Sequence, residues 1–184
     1  MRGSVWCWPF GILGSALGVY LFLADDIRLY SEAILYSYYV IIGIYGWWRW
    51  HHLGGKESDL KVVVWSFRKN LLFLALGAVC APVLGMLMDR YFSSNNPYID
   101  ASTTIFSFIA SYLQAEKVYT SWHFWIVING VSVWLYYNRG LQVYSLLALI
   151  YFVMSIAGLL SWRKMLIKQS SGSSDGNGFS DLKY

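Results

Sequence analysis

The stretch SWHFWIVINGVSVWLYY, residues 121–137, is long and apolar enough to cross a membrane as a helix. At about 100° per residue, side chains that recur at steps of three and four share one face of a helix. A lipid-facing surface has no use for an amide, so a polar stripe predicts a mid-membrane pocket for a flat polar molecule. The stripe consists of Trp122, Trp125, Asn129, Ser132 and Tyr136.

The rest of the chain has the composition of a polytopic membrane protein. Of its 184 residues, 57% are hydrophobic and 13% are charged, whereas a soluble domain carries about 25% charged residues. We therefore predict an all-α bundle of six membrane spans, whose short loops leave no room for a soluble catalytic domain. The apolar runs lie near residues 5–24, 33–50, 71–88, 101–115, 122–138 and 141–162.

The basic residues predict the orientation of the bundle. Eleven of the 14 Lys and Arg fall on one set of loop ends, and only Arg28, Arg90 and Arg139 fall on the other. Positive residues accumulate on the cytoplasmic side, so the loop after Arg49 and the C-terminal tail should be cytoplasmic. Because basic residues at membrane ends serve orientation, the pI of about 9.0 does not predict a nucleic acid partner.

Residues 39–50, YVIIGIYGWWRW, match residues 151–162, YFVMSIAGLLSW. Both segments run into the predicted cytoplasmic end, so two halves of the same orientation would need one helix between them to invert the chain. Parallel repeats of this kind occur in transporters and hold the substrate near the midplane. The alignment pairs Tyr39 with Tyr151, Gly46 with Gly158, Trp50 with Trp162 and, upstream, Trp8 with Trp125.

The repeat divides the chain into five predicted segments. The tail is rich in Ser and Gly and lacks periodicity, so it should be disordered. One helix is missing at the front of the first repeat. The segments are an incomplete first repeat of two helices at 1–50, a cytoplasmic linker at 51–70, an inverter helix at 71–90, a three-helix second repeat at 98–165 and the cytoplasmic tail at 166–184.

Six short motifs, in this order, make the chain resemble the PnuC-type vitamin transporters, bacterial carriers of nicotinamide riboside and related B vitamins. The resemblance covers residues 5–165. The motifs are WPFGI at 8–12, YGWWRW at 45–50, the run of Asp100, Thr103 and Ser107, the W-x-x-W-x-x-x-N of Trp122, Trp125 and Asn129, the Arg139-Gly140 turn, and G-x-x-x-W-R at 158–163.

The resemblance implies a 3+1+3 parallel-repeat bundle like that of the SWEET sugar transporters, and a homotrimer would be unsurprising. Family members usually carry a further helix before the WPFGI segment. We therefore expect that the start codon of this chain has been assigned late, in preference to a true six-helix variant.

Eight side chains are candidates for substrate binding, and each has a structural alternative. Trp122 fits an interfacial anchor, Asn129 fits an interhelical hydrogen bond worth about 0.6 kcal/mol, and hydroxyls often satisfy their own helix. We expect Asp100 to be a helix N-cap, and Trp47, Trp48 and Trp50 to form mainly an interfacial belt. The candidates are Trp122, Trp125, Asn129, Thr103, Thr104, Ser107, Tyr39 and Tyr151.

The charges predict passive transport, and the resemblance implies that the cargo is a cationic vitamin. No carboxylate falls in the middle of a predicted span, whereas coupled carriers usually hold one there. Facilitated diffusion, with cytoplasmic phosphorylation trapping the cargo, is the simpler mechanism, and the resemblance implies the same. Without a carboxylate, a cationic ring would be held by tryptophan, at about 2 kcal/mol or more when desolvated.

Nicotinamide riboside is the first expected cargo and thiamine is the alternative, because no feature of the sequence separates them. Riboflavin, which is neutral and larger, comes third. His51, His52 and His123 lack metal-ligand spacing, so we expect no metal, cofactor or enzymatic activity. A structural or receptor subunit remains a further alternative, which uptake by liposomes would separate from a carrier.

Overall fold

The structure is a computed structural model that describes residues 6–23, 30–52, 61–91 and 96–174. This part of the chain contains six α-helices, which confirms the prediction of an all-α protein. α3 and α6 are long and apolar enough to cross a membrane, by length and composition. The helices are α1 (Cys7–Leu23), α2 (Tyr30–His52), α3 (Phe67–Tyr91), α4 (Pro97–Ala115), α5 (Ser121–Asn138) and α6 (Gln142–Ser174).

The helices reach further into the polar segments than the sequence predicted. α2 ends at His52 and α3 begins at Phe67, so the linker is shorter than the predicted 51–70, and its residues 53–60 lie outside the described chain. α6 continues to Ser174, into the tail that was predicted to be disordered from residue 166. Residues 175–184 of that tail lie outside the described residues.

α4 lies at the centre of the bundle. It contacts α2, α3 and α5, whereas α1 packs on α2 and α6 packs on α5. Small residues allow helix backbones to approach closely, and five of the seven buried residues of α4 are Ala or Ser. They are Ala101, Ser107, Ala110, Ser111 and Ala115.

The outer surface of α3 is apolar. Leu72, Val79 and Met86, which recur every seven residues along one face, have 66%, 65% and 56% of their surface exposed. A contiguous apolar surface of this kind marks an interaction with another apolar phase. The face is suited to contact lipid.

Helices α1 and α2 pack through two tryptophans and a glycine. The indole of Trp8 lies directly on Gly46, where a methyl group would collide with the ring. The same indole meets Trp50 edge-to-face, with ring centroids 5.5 Å apart. The glycine therefore makes room for the ring that joins the two helices.

Helices α5 and α6 repeat this packing. Trp122 lies on Gly158 and meets Trp162 edge-to-face, with ring centroids 5.3 Å apart. Trp162 in turn contacts Trp50 of α2, at 6.2 Å between ring centroids. The four indoles, which we call the indole chain, thus run from α1 through α2 and α6 to α5.

The indole chain corrects one pair of the sequence alignment. By its packing, Trp8 corresponds to Trp122 and not to Trp125. Trp122 and Trp125 are three residues apart and share a helix face, so sequence alone could not choose between them. The corrected register also pairs Gly11 with Trp125 and Ser15 with Asn129.

The burial of the indole chain contradicts two sequence-based interpretations. Only 7% of the surface of Trp122 and 5% of that of Trp50 is exposed, so neither residue is an interfacial anchor. The indole N–H of Trp50 donates to the carbonyl of Ala115 at 2.9 Å. Trp47 and Trp48 are 44% and 50% exposed, as an interfacial belt requires.

Polar contacts at the end of α2 join the first helix pair to the loop after α4. Arg49 forms an ion pair with Glu116, and the Tyr45 hydroxyl donates to the same carboxylate. The ammonium of Lys117 lies 5.0 Å from the centroid of the Trp50 ring. Burial lowers the pKa of Lys117, because a low-dielectric site disfavours the charged form.

Asp100 does not cap α4, contrary to the sequence-based expectation. The N-cap position is Asn96, followed by Pro97 at the start of the helix. Asp100 instead accepts hydrogen bonds from Nη2 of Arg139, at 3.0 Å on Oδ1 and 2.8 Å on Oδ2. The ion pair ties the start of α4 to the end of α5.

The packing of Trp8 on Gly46 predicts that a single methyl group there destabilises the bundle. We expect Gly46→Ala to lower the melting temperature, because overpacking a filled site costs about 1–3 kcal/mol. Gly14→Ala is the matched control, since a methyl at Gly14 meets nothing within 4 Å. Thermal unfolding of the purified protein in detergent measures both, and equal melting temperatures would contradict the packing described.

Candidate functional site

A cavity of about 230 Å³ lies between helices α1, α2, α4 and α5. Both helix pairs and the central helix contribute to its walls, which is the position that a substrate site between two repeats would take. The lining residues are Cys7, Trp8, Gly11, Ser15, Tyr39, Ile42, Gly43, Ser111, Gln114 and Trp125.

The two helix pairs contribute unequally to the cavity. In the corrected register Trp125 of α5 corresponds to Gly11 of α1, and both line the cavity. Trp125 supplies a large aromatic wall, whereas a Cβ atom added at Gly11 would meet nothing within 4 Å. The two helix pairs therefore pack in the same way at the indole chain but differ in the side chains that they place around the cavity.

The wall formed by α4 is polar. Ser107, Ser111 and Gln114 recur at steps of four and three and share one face of the helix. Ser111 donates to the carbonyl of Ser107 at 2.8 Å, and the side chain of Ser107 lies near the hydroxyl of Tyr39. Ser111 and Gln114 line the cavity, and Ser107 is on the same helix face but outside the lining.

One hydrogen bond links the polar wall to the aromatic wall. The indole Nε1 of Trp125 donates to Oε1 of Gln114 at 2.8 Å. Because Gln114 is on α4 and Trp125 is on α5, the bond fixes the plane of the indole relative to the central helix. A ring held in this way presents one face as a stacking surface.

Three of the predicted site residues come together here. Trp125 and Tyr39 line the cavity, and Ser107 lies near the hydroxyl of Tyr39.

The amide of Asn129 lies outside the lining of this cavity. Its Nδ2 donates to Oγ of Ser155 on α6 at 3.0 Å, and Ser155 donates to the carbonyl of Tyr151 at 2.7 Å. Asn129 thus makes the interhelical hydrogen bond that was the structural alternative.

The remaining candidates also lie away from the cavity. Thr103 donates to the carbonyls of Asp100 and Ile99 in its own helix, at 2.9 Å and 3.1 Å, and Thr104 is half-buried outside the lining. Trp122 belongs to the indole chain. Tyr151, the repeat mate of Tyr39, is 49% exposed, so the two tyrosines do not flank the cavity together.

Gln114 and Ser111 line the cavity but were not predicted from the sequence. The sequence carries a signal for them, because both continue the spacing of three and four residues that begins at Ser107. The signal is weak because Gln114 lies near the end of an apolar run, where a polar residue is ordinary. On the α1 wall, Trp8, Gly11 and Ser15 have the same spacing of three and four residues.

The chemistry of the lining suits binding of a flat polar ring. Trp8, Tyr39 and Trp125 supply aromatic rings to the lining, and Ser111 and Gln114 supply polar groups. Within the described residues, no carboxylate is part of the lining. Small-molecule pockets are built in this way, mostly apolar with a few polar groups that set orientation.

Comparison with known proteins identifies relatives of one kind. The family model of nicotinamide mononucleotide transporters matches residues 1–164. The chain is 28% identical to the riboflavin/roseoflavin transporter RibM of Streptomyces davaonensis, over 88% of this chain and 76% of that protein. It is 27% identical to the nicotinamide riboside transporter PnuC of Neisseria mucosa, over 93% and 68%, respectively.

The fold has a counterpart among solved structures. The crystal structure of the vitamin B3 transporter PnuC superposes with a TM-score of 0.68, at 24% sequence identity, and the match covers 91% of this chain and 75% of that one. At this identity the likeness concerns the fold alone.

The position of Trp125 predicts that its removal weakens binding without unfolding the protein. We expect Trp125→Ala to lower the affinity for nicotinamide riboside about 30-fold or more, the equivalent of about 2 kcal/mol of cation–π attraction. Trp134→Ala is the control, because Trp134 is on the same helix but is 56% exposed. Calorimetric titration and melting temperatures measure the effect; wild-type affinity in a folded Trp125→Ala protein would exclude this residue from the site.

Proposed function

The chain belongs to the nicotinamide mononucleotide transporter (PnuC) family, and from this premise we propose that it carries nicotinamide riboside across the bacterial cytoplasmic membrane. Membership of the family makes the protein a membrane transporter of vitamins. The choice of binding site rests on the cavity between the helix pairs, which is lined by Trp125 and by the polar face of α4. The cargo would bind there, near the middle of the bundle.

The size of the cavity favours a cargo with a single aromatic ring. Pockets for drug-sized ligands measure about 300–1,000 Å³, and this cavity of about 230 Å³ is smaller. A nicotinamide ring with one ribose is a better match than a flavin with three fused rings and a ribityl chain. The hydroxyl groups of Ser15 and Ser111 and the amide of Gln114 are suited to the sugar and the ring substituent.

The fixed positive charge of nicotinamide riboside would be balanced by aromatic faces. The described lining holds Trp8, Tyr39 and Trp125 but no carboxylate, so cation–π attraction is the means that the site offers.

Riboflavin is the second candidate. It is favoured by one observation, the 28% identity with a riboflavin/roseoflavin transporter over 88% of the chain. Because riboflavin is neutral, it would bind by stacking and hydrogen bonding alone. An outward movement of the helix pairs would be needed to accommodate it.

We propose uncoupled facilitated diffusion as the mechanism, with cytoplasmic phosphorylation of the cargo maintaining its gradient. Two acidic residues at the ends of α4 are each held by an arginine: Asp100 by Arg139 and Glu116 by Arg49. Both carboxylates lie at the ends of this helix, whereas coupled carriers usually hold an acidic residue within a span, so neither is placed to couple proton movement to transport.

We further propose a 3+1+3 layout in which α3 inverts the chain between two parallel repeats. The repeated tryptophan and glycine packing in α1–α2 and in α5–α6 supports this layout. α1 and α2 would then be the last two helices of the first repeat, and α4 to α6 the second. The charge distribution supports a cytoplasmic location for the linker and the C-terminus.

Uptake into liposomes that contain only the purified protein tests the proposed function. We expect uptake of radiolabelled nicotinamide riboside, unaffected by a proton or sodium gradient, and little uptake of riboflavin. Preferential uptake of riboflavin would establish the second candidate, and uptake of neither vitamin would overturn the proposal.

A matched pair of glycine variants tests the cavity as the route. Gly11→Leu should abolish uptake because the new side chain fills the space opposite Trp125. Gly14→Leu should leave it unchanged, since Gly14 is outside the lining and has open space around it. Equal transport by the two variants would place the route elsewhere.

A further inference from the structure

We propose that Gln114 selects the cargo by donating a hydrogen bond from its side-chain amide to a carbonyl oxygen on the vitamin ring. The inference rests on the proposed function and names the feature by which the site would separate nicotinamide riboside from thiamine, which the sequence left undecided.

The orientation of the Gln114 amide follows from its partner. An indole N–H is only a donor, and Nε1 of Trp125 lies 2.8 Å from the Gln114 side chain. The amide oxygen must therefore face the indole. The NH₂ group then occupies the opposite side of the amide, so the bond to Trp125 decides which chemical group Gln114 offers.

The NH₂ group of Gln114 has donors to spare. Gln114 lines the cavity, and within the described residues its side chain has one hydrogen bond, in which its oxygen accepts. An amide NH₂ carries two N–H donors and no acceptor. Its complement on a ligand is an acceptor such as a carbonyl oxygen.

The other hydroxyl that α4 brings to the cavity lining is already engaged. Ser111 donates its proton to the carbonyl of Ser107 at 2.8 Å. Gln114 is therefore the side chain on this wall that is best placed to donate to a ligand, directly beside the ring that would stack on Trp125.

A carbonyl requirement divides the candidate vitamins. Nicotinamide riboside carries a carboxamide on its ring, and riboflavin carries two ring carbonyls. Thiamine has no carbonyl group, and the acceptors of its aminopyrimidine are ring nitrogens, which do not project from the ring as a carboxamide oxygen does. The site should therefore bind thiamine more weakly than nicotinamide riboside, even though thiamine shares the positive charge and the aromatic rings.

A cargo analogue isolates this hydrogen bond. N-ribosylpyridinium keeps the charge, the ring and the sugar of nicotinamide riboside but lacks the carboxamide. We expect the wild-type protein to bind nicotinamide riboside about 10-fold more tightly than this analogue, the effect of one hydrogen bond in a buried site. Titration calorimetry of the full chain in detergent measures both affinities and that for thiamine.

Two substitutions test whether Gln114 is the donor. Gln114→Met keeps the length of the side chain but removes its donors. Gln114→Glu keeps an acceptor for Trp125 and removes the NH₂. Both should bring the ratio of the two affinities close to one, and Gln142→Met, at an exposed position at the start of α6, should leave it about 10-fold.

The ratio separates the role of Gln114 from a general disturbance of the site. A displaced Trp125 weakens both compounds equally and leaves the ratio unchanged. A wild-type ratio near one, or a ratio of about 10 that survives both substitutions, would overturn the role of Gln114 while leaving the transporter assignment intact. If the wild-type protein binds neither vitamin, the proposed function itself fails.

Discussion

The absence of water in the core of a bilayer is the constraint on which this structure depends, because every polar group there needs a partner within the protein. α4 meets this constraint by lying between α2, α3 and α5. Its hydroxyls donate to its own backbone, its acidic ends pair with arginines of α2 and of the turn after α5, and its amide accepts from an indole. The polar side chains of α4 therefore find partners because three other helices pack against it.

Repetition and asymmetry have separate roles in the bundle. The indole chain places one tryptophan on a glycine in each helix pair and joins the pairs through Trp50 and Trp162. One turn further along, the same register pairs Trp125 of α5 with Gly11 of α1, and both residues line the cavity. The repeat therefore holds the two pairs together, and the departure from the repeat leaves the hollow that a ligand would fill.

The Trp125–Gln114 hydrogen bond connects the structure to its chemistry. It orients the indole as a stacking surface and, by occupying the amide oxygen, leaves the amide NH₂ for a ligand. A carrier must release its cargo on the far side, so a site that combines one stacking surface with few hydrogen bonds suits transport better than a tightly chelating one. The described lining has no carboxylate, so the proposed cationic cargo would be recognised by neutral groups.

The sequence by itself determined the helical class, the membrane character, the family and the aromatic wall at Trp125, because hydropathy, helical periodicity and motif order are local properties of the chain. The tertiary structure alone decided which polar groups satisfy each other. It assigned Asn129 to Ser155, Asp100 to Arg139 and Trp122 to the indole chain. It also showed that Gln114 lines the cavity. Periodicity says which residues share a helix face, but a hydrogen-bond partner depends on the neighbouring helix and its register, which only the packed bundle sets.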